Sequence, residues 1–339
     1  MPNIRARASV LAVLAALTLA ACGAGGGDGD ALVVYSGRNE NLVRPLLDRF
    51  EEQSGIELDV RYADTAELLP TILEEGGRTR ADVFFSQDAG ALGELGRKGL
   101  TRPLPADILD LVDPRFRDTG SRWVGVTARA RVIAYNTDRL KPEQLPRSVL
   151  DVTRPEWKDR VGFPPTNASF VAFVTSLRAT VGDARTRQFL EGLKANGAKR
   201  FDNNILTIDA VASGEVDLGL TNHYYLYSEF KERPDVHVAN FYPGQEEGGE
   251  GTFVNVAGVA VLAGTDKGPA GEQFVRFLLS EEAQRFFRDE TTEYPLRRGV
   301  DAVAELPPLA SLKTIDLPLS ELGRDLEGTV QLLKDVGLT

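Results

Sequence analysis

Residues 31–37, ALVVYSG, form a short β-branched run that ends in turn residues, which predicts a strand. The next stretch, NENLVRPLLDRFEEQSG, spaces Leu42, Val43, Leu46, Leu47 and Phe50 at helical intervals and stops at Gly55. The alternation continues with IELDVRYA as a strand, TAELLPTILEEG as a helix, ADVFFS as a strand and AGALGELGRKG as a helix. Strand and helix in strict turn predict an α/β unit on a largely parallel sheet.

Two longer extended stretches follow, WVGVTARARVIAYN at 123–136 and FVNVAGVAVLAG at 253–264. Between them lies a block with its own alternation: VGFPP, the helices NASFVAFVTSLRATVG and ARTRQFLEGLKANG, then LTIDAVASGE and VDLGLTN. A block with its own elements between two long extended segments predicts an inserted second lobe joined by paired hinge strands. We place the first lobe at residues 31–128 and 254–306 and the second at 129–253 and 307–339. Ligand is then expected in the cleft between lobes, where pockets preferentially form.

The first residues, MPNIRARASVLAVLAALTLAAC, change the picture of where this body works. Arg5 and Arg7 precede an apolar run from Val10 to Leu19, the anatomy of a secretory signal over residues 1–21 and too short to span a bilayer. Small residues directly before Cys22 look like a bacterial lipobox, so Cys22 is the expected lipidation site. Residues 22–30 are rich in glycine and aspartate and read as a flexible tether. Cys22 is the only cysteine, which rules out a disulfide within the chain. The formal charge is −11 and becomes more negative by two once Arg5 and Arg7 leave with the signal. That balance argues against a nucleic-acid partner, which calls for clustered lysine and arginine.

Catalytic motifs are missing. The chain has no G-x-S-x-G, no H-E-x-x-H, no phosphate-binding G-x-x-x-x-G-K-[ST] and no G-x-G-x-x-G after a strand. No enzyme is expected; a hydrolase with carboxylates at unrecognised positions is the rival from that class. His223 and His237 are the only histidines. His237, in DVHVANF, reads as a surface or capped residue, and His223 as a neighbour of a site rather than its ligand.

The segment LTNHYYLYSEF places Tyr224 and Tyr225 side by side. Adjacent side chains diverge on a strand or a helix, so the pair converges only where the backbone turns from one into the other. A phenol stays protonated at neutral pH unless a strong cation stabilises the phenolate. Ferric ion is small, hard and triply charged and favours anionic oxygen, whereas hard divalent ions are served by carboxylates and carbonyls. The pair therefore hints at a ferric site, with stacking on a sugar or an organic cation as the alternative.

In order along the chain stand a lipoprotein signal, VVYSGRNENLVRPLLDRFEEQSGI, ADVFFSQDAGAL, ARARVIAYNTDRL, WKDRVGFPPTNASFVAF, LTNHYYLY and EYPLRRGV. This combination resembles the periplasmic ferric-ion binding proteins that serve iron ABC importers, over nearly all of the mature chain to about Val300. The resemblance implies a two-lobed periplasmic binding protein fold, Fe(3+) as cargo, an inner-membrane ABC permease as partner, and a monomer held at the envelope membrane only by its lipid. It implies phenolate ligands from Tyr224 and Tyr225, and a third from Tyr135 near the first hinge. Members that bind phosphate do so at positions matching Asn167, Ala168 and Ser169, with Asn204 and Asn222 nearby. Asn39 and Gln87 stand where some members have a histidine and a glutamate ligand, so water or a small anion such as carbonate or phosphate is expected to complete the coordination.

Two further features suit an anion. Thr166 to Ser169 open an apolar helix, whose first N–H groups favour negative charge. Arg38, Arg129 and Arg131 carry guanidinium forks that match oxyanions, and strand alternation puts Arg129, Arg131 and Tyr135 on one face. At least one of these arginines is free to form a structural ion pair instead, and the sequence leaves that choice open.

Overall fold

A computed structural model of the chain describes residues 31–231, 233 and 235–339. The signal segment, Cys22 and the tether lie outside the described residues. Ten strands follow in order: β1 (Leu32–Ser36), β2 (Leu58–Tyr62), β3 (Val83–Ser86), β4 (Val124–Asn136), β5 (Val161–Phe163), β6 (Lys199–Arg200), β7 (Leu218–Asn222), β8 (Val238–Phe241), β9 (Val254–Val261) and β10 (Tyr294–Pro295). The helices are α1 (Glu40–Ser54), α2 (Thr65–Glu75), α3 (Ala89–Arg97), α4 (Ala106–Leu109), α5 (Ala168–Val181), α6 (Asp183–Ala195), α7 (Asn204–Ala212), α8 (Tyr225–Phe230), α9 (Gly268–Leu278), α10 (Glu281–Phe286) and α11 (Leu326–Val336).

The sheet runs β2-β1-β3-β9-β4-β7-β5-β6, with β8 and β10 also paired to β4. β1 is parallel to β2 and β3, as the alternation of strands and helices predicts. β9 is antiparallel to β3 and to β4, because it returns directly from the second block without a crossover helix. The apolar spacing of α1 buries Val43, Leu46, Leu47 and Phe50, and the Phe50 ring meets Phe274 of α9 edge-on at 5.1 Å.

β4 is the pivot of the architecture. Its first half pairs with β9 as far as Ala130 opposite Val254, and its second half pairs with β7 from Arg131 opposite Asn222 onward. Every residue of β4 is buried, so one strand serves two sets of neighbours with no break. The chain's C-terminal part also spans both sets. Leu319–Gly323, read from sequence as second lobe, packs on α3 so closely that a Cβ on Gly93 would stand 2.5 Å from the Ser320 carbonyl oxygen. α11 then packs on α5 and α6, with Thr329 Oγ1 2.9 Å from Thr175 Oγ1. No described helix is long and apolar enough to cross a membrane.

Candidate metal centre

A cleft of about 880 Å³ opens where β1, β2, β3 and β7 end and α5 and α8 begin. Its walls include Arg38, Tyr62, Gln87, Asn167, Ala168, Ser169, Asn222, Tyr224, Tyr225 and Glu293.

The two tyrosines occupy a strand-to-helix turn. β7 ends at Asn222, Tyr224 already has helical dihedrals (φ −72°, ψ −21°), and Tyr225 opens α8. The turn brings the rings to 4.3 Å between centroids, 31° apart in plane. Burial, with Tyr225 adding to it, pushes the Tyr224 phenol well above the usual range, so it is a neutral hydroxyl. Among the described residues no three His, Cys, Asp or Glu side chains converge as a metal site, although Glu40, Asp64, Glu67, Glu229, Glu290 and Glu293 also line the cleft.

Tyr135 is not brought to this pair. It lies opposite Leu218, at the far end of β7 from Asn222, and does not line the cleft. Alternation counts it on the same face as Arg131, but four residues along a strand amount to about 13 Å.

The arginines divide into two groups. Arg38 grips Glu293 with both nitrogens, Nη1 donating to Oε1 at 3.1 Å and Nη2 to Oε2 at 2.6 Å, and also donates to Gln87 Oε1 at 3.0 Å. Arg129 Nη1 donates to Glu293 Oε1 at 3.3 Å. Glu293 is 2% exposed; burial works against its ionisation, yet Arg38 and Arg129 hold its carboxyl below the usual carboxylate range. The expected anion partners Arg38 and Arg129 are therefore already engaged by a carboxylate that sequence reasoning missed. The sole sequence signal for it was the glutamate in EYPLRRGV, 255 positions from Arg38.

Arg131 has a different setting. Its Nη1 donates to Ser169 Oγ (3.1 Å), Asn204 Oδ1 (3.2 Å) and Asn222 Oδ1 (3.4 Å), and its Nη2 to the Leu220 carbonyl (2.7 Å). No carboxylate faces it among the described residues, and burial lowers its pKa to about 9. Phe170 and Phe173 of α5 flank the guanidinium at 5.4 and 5.8 Å.

At the start of α5, Asn167 caps the helix, its Oδ1 accepting from the Ser169 N–H at 3.1 Å and from the Ser169 hydroxyl at 2.6 Å. Asn204 is almost fully buried behind this turn and donates to Asn167 Oδ1 at 3.0 Å. It supports the cleft wall without lining it. Asn167, Ala168, Ser169 and Asn222 face the cleft itself.

A model of the bacterial extracellular solute-binding protein family matches residues 79–317. The chain belongs to this family. The solute-binding protein is 31% identical to the major ferric iron-binding protein of Neisseria meningitidis serogroup B over 312 residues, 91% of this chain and 93% of the relative. It is equally 31% identical to the Fe(3+)-binding periplasmic protein of Serratia marcescens, over 97% of both chains. Iron-bound HitA from Pseudomonas aeruginosa superposes with a TM-score of 0.83 at 34% identity, over 91% of this chain and 99% of that one. The fold is thus the two-lobed mixed α/β binding-protein fold, and the protein is a binder for transport rather than an enzyme.

Within the binding protein, His223 is fully buried and spends both ring nitrogens on the backbone. Nδ1 accepts from the Ala130 N–H at 3.1 Å, which makes Nε2 the donor to the Thr292 carbonyl at 3.0 Å. Burial lowers its pKa to about 4, so the ring is neutral and braces the tyrosine turn against β4. His237 is exposed at the surface, 2.6 Å from Asp138.

Proposed function

We propose that the protein is a lipid-anchored, extracytoplasmic receptor of an ABC importer that captures ferric ion in an interlobe cleft and presents it to an inner-membrane permease. The observation that carries the reading is the pair of phenol rings 4.3 Å apart on the cleft wall, with an amide-lined helix start beside them. Tyr224 and Tyr225 supply two phenolates. A small anion such as carbonate or phosphate, held at Asn167, Ala168, Ser169 and Asn222, and water complete the shell. Two phenolates leave one positive charge on the ion, which the anion offsets.

The lobes are residues 31–128 with 254–306 and residues 129–253 with α11, hinged on β4 and on the entry to β9. The change of pairing partner between Ala130 and Arg131 supports a hinge there, and the packing of Leu319–Gly323 on α3 makes the C-terminal part a strap across both lobes. Closure expels water, which strengthens each phenolate–iron contact, and creates a surface that a permease distinguishes from the open form. Release follows from reopening, from protonation of the phenolates, or from reduction to the more weakly held ferrous ion. Cys22 carries the lipid, and a monomer suffices because the cleft is built from one chain.

The deciding experiment is a visible absorption titration of the metal-stripped mature chain with ferric citrate, repeated with Tyr225→Phe. A saturable, one-to-one phenolate-to-iron charge-transfer band that weakens or shifts in the variant supports the reading. A folded protein that stays colourless overturns it in favour of an organic cargo stacked on the tyrosines.

A further inference from the structure

β4 changes pairing partner along both of its edges. On one edge β9 gives way to β7; on the other β10, with Tyr294 opposite Ala128, gives way to β8, with Phe241 opposite Ile133. The residue after β8 is Tyr242, and its hydroxyl lies 3.2 Å from that of Tyr294. This contact sits away from the cleft. Glu293 and Tyr294 are consecutive in an extended segment, so their side chains point to opposite faces, and Glu293 lines the cleft whereas Tyr294 does not. α8 divides in the same way. Tyr225 lines the cleft, while Tyr227, about 200° further round the helix, donates its hydroxyl to the Glu305 carbonyl at 3.4 Å. Burial raises the Tyr242 and Tyr294 phenols, Tyr294 to about 12, so the bond between them joins neutral hydroxyls.

We propose that Tyr227, Tyr242 and Tyr294 form a clasp behind the hinge that opposes closure of the cleft and so sets how tightly cargo is held. The proposal rests on the interlobe hinge of the preceding section. Both bonds cross between lobes, since Tyr227 and Tyr242 belong to residues 129–253, and Tyr294 and Glu305 to residues 254–306. Cleft and clasp lie on opposite sides of the pivot between Ala130 and Arg131, so a rotation that shuts one draws the other apart. His223 does not share this role: its ring lies 4.8 Å from that of Tyr294, but its Nδ1 is bonded to the Ala130 N–H, on the pivot itself. The clasp is made while the cleft stands at about 880 Å³, and closure must give it up. Losing one bond between neutral groups shifts such an equilibrium about two- to tenfold, and the apparent affinity of a ligand that selects the closed state follows.

The test deletes hydroxyls and leaves the rings packed. Ferric affinity is read from the charge-transfer band in competition with citrate. Tyr242→Phe and Tyr294→Phe are each expected to tighten binding about two- to tenfold. The double variant is expected to gain no more than either alone, because the two hydroxyls make one bond, and Tyr227→Phe to add a factor of its own. The band keeps its wild-type position, since no ligand has changed. A second readout needs no iron: spin labels at Glu67→Cys on α2 and Ser228→Cys on α8, in a Cys22→Ser background, measure the distance across the cleft. Tyr227→Phe combined with Tyr294→Phe is expected to move weight toward shorter distances. The clasp is overturned by distances that stay as in wild type, or by a ferric affinity that is unchanged or weaker. A wild type without any band sinks the ferric assignment instead, and the iron-free distances then decide the clasp alone.

Discussion

Glu293 Oε2 lies 2.6 Å from Arg38 Nη2, joining the end of β1 to the residue before β10 across 255 positions of sequence. The same carboxylate accepts from Arg129 on β4 and from the Thr291 hydroxyl at 3.1 Å. Removing it strands two buried guanidinium groups. Glu293→Gln is expected to cost about 3–5 kcal/mol, the usual penalty for breaking a buried pair from one side. Chemical denaturation of the iron-free protein measures it.

The same group sets an acid limb. The folded-state pKa of Glu293 is held below its unfolded value, so its contribution is complete above the ordinary carboxyl range of about 4.3 and is lost as pH falls through the folded pKa. Stability of the wild type should therefore fall more steeply with acid below that value than stability of Glu293→Gln. Equal slopes in denaturation midpoints against pH would refute the assignment.

Tyr224→Phe and Tyr225→Phe are each expected to weaken and shift the ferric charge-transfer band. Tyr135→Phe is expected to leave it unchanged, since Tyr135 pairs with the opposite end of β7. A loss of colour in Tyr135→Phe would show that closure moves this residue to the ion.

Asn167 both caps α5 and shapes the cleft. Asn167→Ala should cost about 1 kcal/mol of stability for the lost cap. It should also weaken phosphate binding to the iron-free protein, because a cleft-facing amide donor disappears. Denaturant midpoints and calorimetry on one sample give both numbers.

Gly37 is required by close approach. A Cβ there would stand 2.1 Å from Thr65 Oγ1, the hydroxyl that accepts the Gln87 N–H at 3.0 Å. Gly37→Ala is expected to destabilise by about 1–3 kcal/mol, the range for overpacking. The penalty should shrink in a Thr65→Ala background, where the clashing hydroxyl is absent, and a double-mutant cycle tests this coupling.

Much of the architecture was legible because it is local. The spacing of Leu42, Val43, Leu46, Leu47 and Phe50 marks α1, the β-branched runs mark β1 and β3, and the adjacent Tyr224 and Tyr225 imply a turn where two phenols meet. Each of these depends on neighbours a few residues away, which the chain order lists directly. Alternation on β4 likewise put Arg129, Arg131 and Tyr135 on one face. It could not say which arginine would meet a counterion or how far along the strand the tyrosines would lie. Glu293, 164 positions from Arg129, pairs with that arginine as well as with Arg38, while Arg131 falls among amides with no acid in reach. Charge pairing is set by whatever long-range packing brings within a few ångströms, and that was settled only when β10 and β7 took their places beside β4.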